Sequence, residues 1–122
     1  MSLKIVNFII YIIVLSTLSI YSAFAEQKTI TFDDGSTYIG EVVGGNMEGK
    51  GLFKSSKNKS NKQLIYSGEF KEGKFNGLGK LDFYNGDSYI GGFSDGYMHG
   101  SGLLKYKSGS EYEGFFNKGN KE

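Results

Sequence analysis

Few side chains in this sequence can do chemistry. His99 is the only histidine and there is no cysteine, so thiolate nucleophiles and thiolate metal sites drop out at once. His99 sits in Met98-His99-Gly100, at an offset where other stretches carry Glu48 and Asn76. Three unlike polar residues at one offset describe a solvated turn better than a general base. Glu41 and Glu69 also share an offset and could oppose each other as the carboxylate pair of a glycoside hydrolase. The next two matching positions hold Gly92 and Phe115, which leaves envelope-glycan hydrolysis a remote reading. Gly-x-Gly at Gly49, Gly77 and Gly100 suggests a phosphate cradle, but no Lys-Ser/Thr pair follows any of them. Asp82 to Asp87 has some of the acidic spacing of a calcium loop, yet Tyr84 takes a ligand position and the closing glutamate is missing. No catalytic residue, metal or cofactor is expected.

What remains is repetition. Tyr66-Ser-Gly68-Glu-Phe70, Tyr89-Ile-Gly91-Gly-Phe93 and Tyr112-Glu-Gly114-Phe-Phe116 follow one another at a 23-residue step. After Tyr66 come Gly73, Phe75, Gly77, Gly79 and Leu81, answered after Tyr89 by Gly96, Met98, Gly100, Gly102 and Leu104. Such self-similarity outranks any local motif. Units therefore start at Tyr38, Tyr66 and Tyr89, with a truncated unit at Tyr112 and a half unit at residues 30–37. Val42 alone stands where the other units have phenylalanine. Between Phe53 and Tyr66 the step lengthens around a lysine-rich stretch, Ser55 to Lys62, which reads as a longer solvated loop.

The period decides the secondary structure. Tyr66, Gly68 and Phe70 are two apart, as are Phe75, Gly77, Gly79, Leu81 and Phe83, with polar residues between them. That alternation predicts half-buried strands. Glu72-Gly73, Asp95-Gly96 and Lys118-Gly119 inside units, and Asp34-Gly35, Asn85-Gly86 and Ser108-Gly109 between them, supply the turns. The expected fold is all-β: an elongated, single antiparallel meander of tandem hairpins. One face should carry the rings over a floor of glycines, because a strand position without Cβ lets a neighbouring ring lie across the backbone. The other face should carry the charges.

The N-terminus has its own grammar. Lys4 precedes an uncharged apolar run from Ile5 to Ile20, and Ala23-Phe24-Ala25 stands before Glu26. This is the order of a secretory signal peptide, with cleavage expected after Ala25 and one domain over residues 26–122. An uncleaved anchor is the lesser alternative, weakened by Asn7, Ser16, Thr17 and Ser19. Secretion or a periplasmic location follows. The chain has 14 basic residues, all lysine, against 13 acidic ones, so no field steers a polyanion and nucleic acid is not an expected partner. Asn58-Lys59-Ser60 is a formal glycosylation sequon.

Three features could bind something. The aromatic face offers Tyr38, Tyr66, Phe70, Phe75, Tyr89, Phe93, Tyr112 and Phe116, and a single sheet cannot cover both of its faces. Lys54, Lys57, Lys59 and Lys62 form a local basic excess suited to an anionic lipid surface. The strand ending near Phe116 has no expected successor, and such an edge invites self-association or a protein partner. The spaced pattern Tyr-x-Gly-x-Phe-x-x-Gly-x-x-x-Gly-x-Gly-x-Leu resembles the MORN (membrane occupation and recognition nexus) repeat from Tyr38 to Gly119. The resemblance implies an elongated sheet of hairpins that works as a non-catalytic interaction or scaffolding module, with protein, lipid and self-association as its modes.

Overall fold

The computed structural model describes residues 26–122; the signal-peptide reading of residues 1–25 lies outside the described residues. The strands run in chain order as β1 (Glu26–Thr31), β2 (Thr37–Val43), β3 (Asn46–Lys54), β4 (Ile65–Lys71), β5 (Lys74–Asp82), β6 (Ser88–Ser94), β7 (Tyr97–Lys105), β8 (Glu111–Asn117) and β9 (Asn120–Lys121). Each pairs antiparallel with the next in one sheet, ordered β1 to β9 without a crossover. The fold is an all-β meander of hairpins.

Two kinds of turn alternate along it. Inside units the connections are two-residue loops with both residues at positive φ: Gly44 and Gly45, Glu72 and Gly73, Asp95 and Gly96, Lys118 and Gly119. Their backbone twist matches that of the flanking strands, which is why glycine takes the second place in every one. Between units, Gly35, Gly86 and Gly109 donate their N–H to the carbonyls of Phe32, Phe83 and Tyr106. In the first of these turns Asp34 accepts from the Ser36 hydroxyl and N–H, which holds its carboxyl below the usual value. Turns also tie successive units together, since the N–H groups of Gly73, Gly96 and Gly119 reach the carbonyls of Met47, Phe75 and Met98.

The hairpins β2–β3, β4–β5 and β6–β7 carry the same irregularity. Pairing is regular at Gly40↔Gly51, Gly68↔Gly79 and Gly91↔Gly102, then resumes at Val42↔Met47, Phe70↔Phe75 and Phe93↔Met98. A single residue, Glu41, Glu69 or Gly92, thus faces a bulge of three. The bulged strand turns through Gly49, Gly77 or Gly100, all at positive φ, and such an insertion bends and twists the sheet. Gly77, expected from its period to be part of the floor, is instead the hinge of the bulge.

The glycines that pair directly form a row across the sheet, Gly40, Gly51, Gly68, Gly79, Gly91, Gly102 and Gly114. Tyrosine rings lie on it. A Cβ built on Gly79 would sit 2.6 Å from Cζ of Tyr66, and one on Gly51 equally close to Cζ of Tyr38. Tyr66 cannot yield, because Phe75 is stacked on its other face at 3.8 Å between centroids. At the two ends of the array the expectations need adjustment. β1 starts at Glu26 and pairs along its whole length with β2. β8 does have a returning strand, since Phe116 and Asn117 pair with Lys121 and Asn120.

Valine at Gly79 or Gly102 is expected to cost about 3 kcal/mol or more, the range of a forced overpacking against immobile rings. Lys80→Val, on the opposite and exposed face, should stay within about 0.5 kcal/mol. Urea unfolding followed by circular dichroism measures both, and equal tolerance would contradict the ring placement.

Candidate interaction surfaces

The eight aromatic residues singled out from the sequence form a packed ladder. Phe70 wedges edge-on between Tyr38 and Tyr66, Phe93 between Tyr66 and Tyr89, and Phe116 between Tyr89 and Tyr112, with centroids 5.0 to 5.4 Å apart. Edge-to-face contacts of this kind add about 0.5–1.5 kcal/mol each beyond area burial. Tyr38, Tyr66 and Tyr89 are 0% exposed, Phe70, Phe93 and Phe116 are buried, and Phe75 and Tyr112 are half-buried. Their polar ends are used as well. The hydroxyls of Tyr38, Tyr66 and Tyr89 donate to the carbonyls of Glu41 (2.6 Å), Glu69 (2.7 Å) and Gly92 (2.9 Å), the residues facing the bulges. Twist and bulges wrap this face on itself, so the rings are core. What it presents outward is a shallow cavity of 260 Å³ lined by Met47, Phe53, Lys74 and Phe75.

The opposite face is less charged than its sequence suggests. Ile39, Leu78, Ile90 and Phe115 are at least half exposed there, Leu78 at 70% and Phe115 at 62%. They border two open troughs that run over the glycine row. One, of 560 Å³, is lined by residues including Ile39, Gly51, Gly68, Glu69 and Leu78. The other, of 460 Å³, is lined by residues including Leu78, Ile90, Ser101, Leu103, Glu113 and Phe115. Sequence reasoning missed these because it tracked only the periodic residues. The available signal was the apolar residue in Tyr38-Ile39-Gly40 and Tyr89-Ile90-Gly91, which alternation sends to the side away from the rings.

Lys54, Lys57, Lys59 and Lys62 are all exposed. Their loop is built rather than loose. Asn58 accepts from the N–H groups of Ser60 and Lys62, Ser55 exchanges bonds with Leu64 and Gln63, and Tyr84 from the next turn donates to Ser55 at 2.8 Å. Glu41 and Glu69 line one open cavity, of 600 Å³. Each accepts a backbone N–H across its own bulge, from Lys50 at 2.7 Å and from Leu78 respectively. Glu48 likewise accepts from the Glu72 N–H at 2.9 Å. His99 is exposed beside Ser94, Asp95, Tyr97 and Lys118. Among the described residues no three His, Asp or Glu side chains gather to hold a metal.

The MORN repeat pattern matches residues 38–59, 66–88 and 89–111. The chain belongs to the MORN repeat family. The gap between the first two matches, residues 60–65, overlaps the end of the lysine-rich loop, and the longer connection leaves the pairing of β3 with β4 in register. A comparison with curated proteins finds no match. MORN repeats point to a non-catalytic membrane- or protein-binding module. The hydroxyls of Tyr38, Tyr66 and Tyr89 and the Glu41 and Glu69 carboxylates are bonded within the fold.

The same burial makes the protein sensitive to alkali. Burial raises Tyr66 to about 12, with the Glu69 charge adding to it, and burial raises Tyr38 and Tyr89 as well. Against about 10 in the unfolded chain, the folded state resists losing these protons. Its stability is complete below pH ~10 and falls as pH rises from there through about 12. Ionisation of Tyr38, Tyr66 and Tyr89, read as tyrosinate absorbance lost in their Phe variants, should therefore accompany loss of the strand signal in that window. These three titrating near pH ~10 with the sheet intact would contradict the burial.

Proposed function

We propose that this chain is a non-catalytic protein-interaction module that holds its partner on the face opposite the rings. The observation that carries the reading is the set of exposed apolar side chains Ile39, Leu78, Ile90 and Phe115 bordering the glycine-floored troughs. None of them belongs to the ring ladder, so the fold does not account for them. Apolar groups clustered on an otherwise polar surface mark contact sites. The leader-like order of residues 1–25 supports a secreted or periplasmic setting, with a scaffolding role at the cell envelope.

A second reading has its own observation. The exposed lysines at positions 54, 57, 59 and 62 stand on an ordered loop, which suits an anionic membrane surface, each charge there contributing roughly 1 kcal/mol.

Cross-linking of residues 26–122 to native envelope proteins separates the two. Leu78→Asp and Ile90→Asp should each remove the cross-linked partner while leaving the circular dichroism spectrum intact. The protein-binding reading fails if the partner persists in both variants. Vesicles rich in phosphatidylserine test the other: binding that falls with salt and vanishes when the four lysines become glutamine would establish the lipid surface instead.

A further inference from the structure

The third bulge differs from the first two in two respects, the residue facing it and the backbone, for the His99 carbonyl oxygen lies where a Cβ on Gly92 would stand. At the first bulge the Glu41 carboxylate reaches over Gly49 to the N–H of the next residue, Lys50; at the second, Glu69 reaches over Gly77 to the N–H of Leu78. These side chains fill the space above the bulge glycines, so that a Cβ on Gly49 or Gly77 would run into the carboxylates. At the third bulge the residue in the glutamate's place is Gly92. Above Gly100 there is nothing within 4 Å. Ser101, the counterpart of Lys50 and Leu78, is exposed.

The flanks of this opening are apolar. Strand pairing sets Leu78 beside Gly92 on one side and Phe115 beside Ser101 on the other. These are two of the most exposed large apolar residues in the described chain, and both border the 460 Å³ trough. At the other two bulges the corresponding neighbours are mostly polar, with Gln27 beside Glu41 and Glu69 beside Lys50. Glu113 lies in the trough wall next to Leu103, two residues along the strand from the opening.

We propose that the third bulge is a seat for a partner's carboxylate, taken at the Ser101 N–H in the way Glu41 and Glu69 are taken at theirs. The protein supplies the template twice: a carboxylate above a positive-φ glycine, accepting the following N–H. Leu78 on β5 and Phe115 on β8 are three strand spacings apart, about 14 Å. An extended peptide places residues i−2, i and i+2 on one side across a similar span. The partner is therefore a protein segment reading apolar-x-acid-x-apolar, its acid in the seat and its apolar side chains against Leu78 and Phe115. This rests on the protein-binding reading and names the chemistry that reading would recognise.

Amide NMR on residues 26–122 tests it with the peptide acetyl-Leu-Ser-Glu-Ser-Leu-amide. The Ser101 and Gly100 amides should shift on titration, while the Lys50 and Leu78 amides, already bonded to internal glutamates, should not. Replacing the peptide's glutamate by glutamine should weaken binding about tenfold, the difference between a charged and a neutral acceptor. In the Glu69→Ala protein the Leu78 amide should begin to respond as Ser101 does. Equal shifts with the glutamine peptide, or no movement of Ser101 in a folded protein, would overturn the seat. Either result leaves the apolar face to be judged by partner loss in Leu78→Asp and Ile90→Asp, so the two failures are distinguishable.

Discussion

The structure depends on one contact made in three complete hairpins, and more loosely by Tyr112 at the end of the array: a tyrosine ring lying on a paired glycine with its hydroxyl on the carbonyl three residues later. Tyr38, Tyr66 and Tyr89 each do this within their own hairpin. The parts require one another. The bulge takes a carbonyl out of the ladder, and an unpaired buried carbonyl costs about 1–3 kcal/mol. The hydroxyl that satisfies it can reach only if the ring lies flat, and the ring lies flat only over a residue without Cβ. Tyrosine, glycine and bulge are thus one device, which explains why the three recur at fixed spacing.

Repetition turns that device into a core. A lone hairpin cannot hide a tyrosine from water on both sides, and an isolated two-stranded ribbon is marginal. Here the phenylalanine of each following unit closes the ring of the one before, as Phe93 does for Tyr66 and Phe116 for Tyr89. Stability is therefore a property of neighbours, as in other one-dimensional arrays. The ends follow from the same logic. Lys28, opposite Gly40 in β1, stands where later units have a floor glycine, and among the described residues no tyrosine precedes it to lie over that position. At the other end the Lys121 ammonium sits 5.0 Å from the Tyr106 and Tyr112 ring centres, and the Tyr112 hydroxyl donates to the Glu122 carbonyl at 3.0 Å.

The sequence declared the strands, their order and the ring face, because period-two spacing and paired turn glycines are local and repeated. It did not declare the bulges. Gly77 and Gly79 look alike on the page, and only pairing with β4 shows that Gly79 opposes Gly68 while Gly77 is extra. For the rings alternation left two outcomes, packing within the array or a face covered by another molecule, since twist is a property of the assembled sheet. The apolar residues of the far face were hidden for a different reason. Leu78 and Phe115 occupy positions that vary from unit to unit, and a reading built on recurrence passes over what does not recur.

That last point bears on where function can live in such a protein. The recurring residues are committed: the tyrosine to its carbonyl, the paired glycine to its ring, the phenylalanine to two neighbours. Changing any of them costs stability before it changes recognition. Specificity can be written only in the positions the device leaves free, which lie on the far face, in the bulge residue and in the loop between units. The three tyrosine-capped hairpins differ at just these places, with Glu41, Glu69 and Gly92 at the bulge and a ten-residue stretch, residues 55–64, between β3 and β4 alone. Gly92 is the informative case. Removing a glutamate from the bulge leaves the tyrosine bond intact, since Tyr89 still donates to the carbonyl of Gly92. The carboxylate is therefore separable from the fold, and a chain that omits it at one bulge keeps the scaffold while leaving that bulge's outer side open to a partner.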